Sequence, residues 1–293
     1  MSPAPLSSAA FADAVLRVAR FRGRPVVVKL GGSAMEDPAA TDACLRSVAT
    51  LHLLGVPVVL VHGGGKPIDR AMADAGLTPR KVVGRRYTDE ATLGVVVPVL
   101  HSISRDLERR LTELGADAKA HTHPDTFPLL GEVLRLTATD GSSIDLGWVG
   151  SVATVRSDDL RWRAVECGEL PVIPSLAVLA DSPTGWLNVN ADTAASAVAG
   201  ALKAEKAIFL TDTPGVLRNR HEHTSLIPRL TETECRSLIA SGVINGGMVP
   251  KVEACFEALA AGAQAALTLD GRVPYSLLDV FLHDRFTGTE ITR

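Results

Sequence analysis

Two lysines have neighbours that suit them to chemistry. Lys29 ends the apolar run Pro25-Val26-Val27-Val28 and is followed by Leu30-Gly31-Gly32, and Lys251 follows Gly246-Gly247-Met248-Val249-Pro250. Lysine is rarely buried without a partner, so packing explains neither well. A compact ammonium at the mouth of a strand can neutralise charge that builds on a transferring phosphoryl group. Lys251 alone also reads as an exposed residue in a first helical turn, although a cation there opposes the helix dipole. The segments Lys29-Leu30-Gly31-Gly32-Ser33 and His62-Gly63-Gly64-Gly65 each fall where a strand ends and a helix is about to begin. Glycine lets several backbone N–H groups converge on an anion, and the next helix adds its dipole. One such loop reads as a tight turn; two on successive strands point to phosphate.

Asn188-Val189-Asn190-Ala191-Asp192 places three polar groups at alternate positions before an alanine-rich helix. One helix cap needs only one of them. Asp192 is placed to orient both lysines by charge-assisted hydrogen bonds, and Asn188 to offer an amide to a substrate. Gly84-Arg85-Arg86-Tyr87-Thr88-Asp89 sets two arginines in a hairpin. An arginine fork suits a small carboxylate, and the plainer reading is an exposed charged turn.

Spacing excludes the other common phosphate motifs. Gly65-Lys66 is followed by Pro67, so there is no P-loop, and neither G-x-G-x-x-G nor the protein-kinase HRD and DFG triplets occur. The 293 residues carry a net charge of −3, with 46% hydrophobic and only 4% aromatic residues. That balance argues against nucleic acid and membrane surfaces as partners. Of 30 basic residues only seven are lysine, and two of those seven are Lys29 and Lys251. Cys44, Cys167, Cys235 and Cys255 are scattered, which fits a reducing cytoplasmic setting rather than a disulfide framework or a zinc site. No leader is expected in the first residues, and the longest apolar run, 53–61, is about half a bilayer span.

The elements that must hold these residues alternate. Buried strands are predicted over 25–30, 56–61, 170–174, 207–212 and 263–269, and helices over 8–21, 38–54, 66–75, 89–114 and 191–203. Two further helical segments flank Gly246-Gly247, and hairpins are expected over 80–88 and 128–155. Continuous Val/Leu runs joined by helices imply a mainly parallel sheet covered on both faces. The Ser-Pro-Thr-Gly stretch at 182–185 is a candidate seam between two lobes, although one continuous sheet could cross it.

In order along 23–293, the segments KLGGSAM, LVHGGGKPI, GRRYTD, IDLGWVG, LNVNADTAA, LTDTPGVL, NGGMVPKV and DGR resemble the amino-acid kinase family. Within it they are most similar to members that phosphorylate N-acetyl-L-glutamate. The resemblance implies an open αβα sandwich with an N-terminal helical extension (1–22) before the kinase domain. An N-lobe of about 23–180 would bind acetylglutamate, and a C-lobe of about 181–293 would bind ATP. By the same resemblance, Lys29 and Lys251 stabilise the transition state and Asp192 organises them. Gly32, Gly64 and Gly65 donate N–H groups, and Arg86 and Asn188 hold the acceptor's α-carboxylate. Thr211, Asp212, Gly247 and Met248 line the nucleotide site, with Mg²⁺ arriving on ATP. The N-terminal helix resembles an extension that joins dimers into hexamers in arginine-inhibited members, so a homodimer or hexamer and an arginine effector are implied, with Asp279 the nearest match to the acidic residue expected before Gly288.

The chain departs from that pattern at Ala120-His121-Thr122-His123-Pro124-Asp125, at Ser104 in the long helix, and at Arg85 and Tyr87 beside Arg86. Two alternatives stay open: a kinase for another small carboxylate, such as acetylaminoadipate, aspartate or carbamate, and a non-catalytic regulatory member of the fold.

Overall fold

The computed structural model describes residues 7–31, 35–138, 140–219, 222–283 and 286–293. The chain runs through helix α1 (Ser8–Ala19), strand β1 (Val26–Leu30), helix α2 (Pro38–Leu53), strand β2 (Val58–His62) and helix α3 (Gly65–Asp74). A hairpin of β3 (Lys81–Val82) and β4 (Arg85–Arg86) leads to the long helix α4 (Glu90–Glu113) and strand β5 (Ala118–Ala120). Strands β6 (Leu129–Val133), β7 (Leu136–Thr137), β8 (Ser143–Ile144) and β9 (Val149–Val155) follow, then helix α5 (Ser157–Arg161). Next come β10 (Leu170–Pro174), β11 (Leu176–Val178), β12 (Trp186–Val189), helix α6 (Ala191–Ala201) and β13 (Lys206–Thr211). The chain closes with β14 (Arg229–Thr231), α7 (Glu232–Ala240), α8 (Val249–Ala261), β15 (Ala266–Asp270), α9 (Ser276–Leu282) and β16 (Gly288–Thr292).

Eight strands form one sheet in the order β14-β16-β15-β13-β1-β2-β10-β5, parallel throughout except where β15 meets β16. Alternate residues of β1 and β2 enter two different cores: Val27, Val59 and Val61 join one, while Val26, Val28, Leu30, Val58 and Leu60 join the other. Burial on both faces is why these strands read as unbroken Val/Leu runs. Lys29 takes the alternation to the face that carries Val27, where α6 packs on β1.

The predicted helices and inner strands form within a few residues of their expected limits. The mixed outer edge was not anticipated, because β14 and β16 are short and lack a continuous apolar run. Residues 182–185 form the hairpin turn between β11 and β12, closed by Leu179 N–H to Gly185 O (3.0 Å). Those two strands complete a small barrel with β9 and β6.

Packing of α6 on α8 fixes how the site is assembled. Gly200 is the point of closest approach: a Cβ there would stand 2.2 Å from the Ala261 Cβ. The Ser196 hydroxyl donates to Ala254 O across the same contact (2.9 Å). No helix among the described residues is long and apolar enough to cross a membrane.

Candidate active site

β1, β2 and β13 lie side by side and parallel, so their C-terminal ends place Lys29, His62 and Thr211 along one edge of the sheet. A cleft of about 310 Å³ opens there, lined by Lys29, Gly31, Gly63–Gly65, Arg85, Arg86, Asn188 and Asp192 among others. Lys29 Nζ lies 2.8 Å from Asp192 Oδ1, with the lysine side chain 13% and the aspartate 29% exposed. Gly31 leaves room for that ammonium, since a Cβ on it would come within 2.8 Å of Lys29 Nζ.

The polar groups at 188, 190 and 192 divide their work. Asn190 is the cap of α6, its side chain accepting from the N–H groups of Asp192 (2.8 Å) and Thr193 (3.1 Å). Asp192 is thereby free to pair with Lys29 from the first helical turn, where a carboxylate also suits the dipole. Asn188 leaves β12 and donates through Nδ2 to Thr88 Oγ1 (3.0 Å).

Gly64 and Gly65 of the second loop differ in their surroundings. A Cβ at Gly64 would press on Leu100 Cδ2 at 2.9 Å and Ile103 Cδ1 at 3.0 Å, so α4 packs closely over this position and those side-chain ends would have to shift for any larger residue. A Cβ at Gly65 would meet nothing within 4 Å, and packing does not account for glycine there. Gly65 opens α3 and leaves its amide at a helix N-terminus. Gly32 lies outside the described residues.

Beneath this loop sits a group that sequence reasoning passed over. His62 is fully buried, with Nε2 2.7 Å from Ser104 Oγ and Nδ1 3.0 Å from Gly63 O. A carbonyl can only accept, so Nδ1 carries the proton and Nε2 accepts from the Ser104 hydroxyl. Burial, partly offset by the bond to Gly63, pushes the imidazole pKa down to about 4. The residue was visible as the first letter of HGGG, but nothing in sequence linked it to Ser104.

Arg86 is more occupied than its motif suggests. Its Nη2 is 2.5 Å from Asp69 Oδ1 on α3, its Nη1 is 3.1 Å from the Met72 sulfur, and its side chain is 13% exposed. Arg85, next in the same hairpin, lines the cleft as well.

A second cleft of about 530 Å³ is lined by Asp212–Leu217, Val243–Met248, Lys251 and Arg272. Gly247, Met248 and Asp212 are among the residues that line it. Thr211 does not line it: the residue is buried, and its hydroxyl bonds Thr213 O (3.0 Å) and Leu269 O (3.2 Å), bracing the loop from behind. Lys251 bonds Asp212, which holds that carboxyl below its usual range. The expected arrangement in which Asp192 orients both lysines is therefore not what the structure shows. Among the described residues Asp192 pairs with Lys29, and Lys251 has its own carboxylate across the second cleft. Asp270, at the end of β15, is raised by burial but lowered more by its bonds to Arg272 (2.7 and 2.9 Å), a pair that flanks the same cleft. No group of three or more His, Cys, Asp or Glu among the described residues is arranged to hold a metal ion.

Residues 24–268 match the model of the amino acid kinase family. An acetylglutamate kinase of Trichodesmium erythraeum is 37% identical over 281 residues, covering 95% of this chain and 92% of its own. One from Synechococcus sp. RCC307 is 43% identical over 267 residues, covering 91% and 87%. Among solved structures, N-acetylglutamate synthase from Neisseria gonorrhoeae superposes with a TM-score of 0.82 at 24% identity, covering 99% of this chain; this chain spans 64% of the synthase chain. Carbamate kinase from Giardia lamblia superposes at 0.62 with 16% identity over 92% of this chain and 99% of its own. Two lysine-bearing clefts at the carboxyl edge of one sheet, and a family model spanning most of the sequence, lead to one conclusion: the chain belongs to the amino acid kinase family.

Proposed function

We propose that the protein transfers the γ-phosphoryl group of ATP to the side-chain carboxylate of N-acetyl-L-glutamate. The observation that carries this reading is the pair of clefts, each with one lysine held by a carboxylate: Lys29 with Asp192 in the first, Lys251 with Asp212 in the second. The identity to acetylglutamate kinases over nearly the whole chain supports the choice of acceptor. In this reading residues up to about 180 form the acceptor lobe and the remainder the nucleotide lobe.

The acceptor carboxylate is already ionised at neutral pH, so no general base is required. One of its oxygens attacks the γ-phosphorus, the bond to the bridging oxygen breaks, and ADP leaves with the electron pair. Lys29 and Lys251 neutralise the charge gathering on the moving group from its two sides, and the Gly64 and Gly65 amides donate to its oxygens. Gly32 belongs to the same proposed cradle. Asp192 keeps the Lys29 ammonium at the strand end, while Asn188 and the arginine hairpin meet the acceptor's other carboxylate. Gly247, Met248 and Asp212 border the nucleotide. Mg²⁺ arriving with ATP would supply neutralisation of phosphate charge, and Asp212, the carboxylate lining the second cleft among the described residues, is the residue that would help hold it.

A hydroxylamine trap tests the reading. Acetylglutamate with ATP should give hydroxamate and stoichiometric ADP, and acetylaminoadipate, aspartate and carbamate should give much less. Hydroxamate from one of those acceptors but none from acetylglutamate would replace the proposed substrate. ATP turnover with none of them would favour the regulatory alternative.

The N-terminal helix supports a second part of the proposal, self-assembly through α1 with arginine as effector. α1 leaves Phe11 and Leu16 exposed, and its end docks on α9, with the Phe21 and Phe281 rings edge to face at 4.9 Å. Asp279 lies on that same α9. Calorimetry with arginine tests the effector; a flat titration removes it.

A further inference from the structure

Arg272, the last residue of the DGR segment, lines the second cleft together with Lys251 and Asp212. Its place follows from the sheet. β13 and β15 run parallel with Thr211 opposite Asp270, and the Gly271 N–H donates to Thr211 O (2.8 Å). The chain therefore leaves both strands side by side, and Arg272 comes out next to Asp212. The bond from Lys251 lowers the Asp212 pKa most, and the charge of Arg272 adds to that effect. Two cations thus gather in one corner of the cleft, whereas Pro214, Val216, Val243 and Ile244 supply apolar lining.

Only one edge of Arg272 is engaged. Asp270 Oδ1 accepts from its backbone N–H (2.9 Å) and from Nε (2.9 Å), and Oδ2 accepts from Nη2 (2.7 Å). The Asp270 side chain is 9% exposed and that of Arg272 is 51% exposed, so the carboxylate braces the guanidinium from behind. A guanidinium carries five N–H donors, and Nη1 makes no hydrogen bond among the described residues. A fork fixed on one edge offers the other at little ordering cost.

We infer that Arg272 is the ligand of the nucleotide's β-phosphate and that Asp270 is its positioning residue. This rests on the reading of the second cleft as the nucleotide site. When the bond from the γ-phosphorus to the bridging oxygen breaks, the electron pair stays on the β-phosphate of ADP. Lys251 meets the moving group. A second cation beside it, anchored on Asp270 rather than on Asp212, suits the group left behind. Its free edge can take phosphate oxygens through charge-assisted hydrogen bonds, a geometry that one lysine ammonium cannot reproduce.

Calorimetric titration with ADP, and with AMP by displacement, tests this on the wild type, Arg272→Gln, Arg272→Lys and the double variant Arg272→Gln/Asp270→Asn. Arg272→Gln should weaken ADP on the order of 10- to 100-fold and leave AMP within about twofold, so that the preference for ADP narrows. Arg272→Lys should recover part of the loss. The double variant leaves no unpaired carboxylate at position 270 and should bind ADP as weakly as Arg272→Gln, since Asp270 acts through the arginine. Wild-type affinity for ADP in Arg272→Gln overturns the inference and leaves the proposed function standing. Equal losses for ADP and AMP, or recovery of ADP binding in the double variant, also overturn it, because the loss would then come from elsewhere than the β-phosphate. Absence of ADP binding by the wild type removes the reading of the second cleft and this inference with it.

Discussion

Lys29 and His62 end neighbouring strands yet meet opposite electrostatic demands. Lys29 pairs with Asp192 at 2.8 Å, and the pair is only partly screened by solvent. Replacing it by alanine removes one of two cations proposed to meet the transferring phosphoryl group. kcat should fall about 10²- to 10³-fold, the scale seen when one stabilising donor is lost. The circular dichroism and melting curve should stay near wild type; full activity in a folded Lys29→Ala protein would overturn the mechanism. His62 instead stays neutral. Burial lowers its pKa to about 4, against 6.5 for a free imidazole, so between those values the unfolded chain takes up a proton that the folded protein refuses. Stability contributed by His62 is therefore present above pH 6.5 and declines as pH falls toward 4, by at most on the order of 3 kcal/mol. Urea titrations at pH 7 and pH 5 should show a larger loss for the wild type than for His62→Gln, whose amide does not titrate. Equal losses would show that the imidazole is not held neutral.

Elements convert these local preferences into a site, and the α6–α8 contact does so most directly. Asp192 lies in the first turn of α6 and Lys251 in the first turn of α8, so the packing of the two helices sets both side chains. The near-contact at Gly200 fixes how close they come. Gly200→Val should destabilise by about 1–3 kcal/mol, the usual cost of overpacking, and lower kcat in the fraction that remains folded. Chemical denaturation and kinetics on the soluble fraction check this; wild-type stability would mean the helices can part without loss. Much at this scale was legible beforehand. β1, β2, β10, β13 and β15 announce themselves as apolar runs, and the glycine loops mark where they end. What could not be read is pairing at a distance. Nothing in sequence joins Asp69 to Arg86, Ser104 to His62, or Asp212 to Lys251, because those partners lie 17, 42 and 39 positions apart and meet only through the sheet order. Thr211 misleads for a related reason: strand alternation turns a residue of a binding motif into the buried brace of its loop.

At the scale of the whole molecule, the net charge of −3 coexists with cations gathered at one sheet edge, so the attraction for phosphate and carboxylate is local. The self-assembly proposed above would have a different origin. Along α1, Phe11, Val15 and Val18 share a stripe at i, i+4 and i+7; Val18 is fully buried, whereas Phe11 is 57% exposed. The helix is thus docked at its end and bare at its beginning, with apolar surface that a second α1 could cover. Proposed assembly through this stripe predicts that Phe11→Asp shifts the molar mass seen by size-exclusion chromatography with light scattering toward a smaller species. Activity per protomer should persist, because α1 lines neither cleft. If arginine acts through the same helix, the variant should also respond less to it. An unchanged mass for Phe11→Asp would place the interface elsewhere, since a carboxylate introduced into an apolar contact without a partner is expensive to bury.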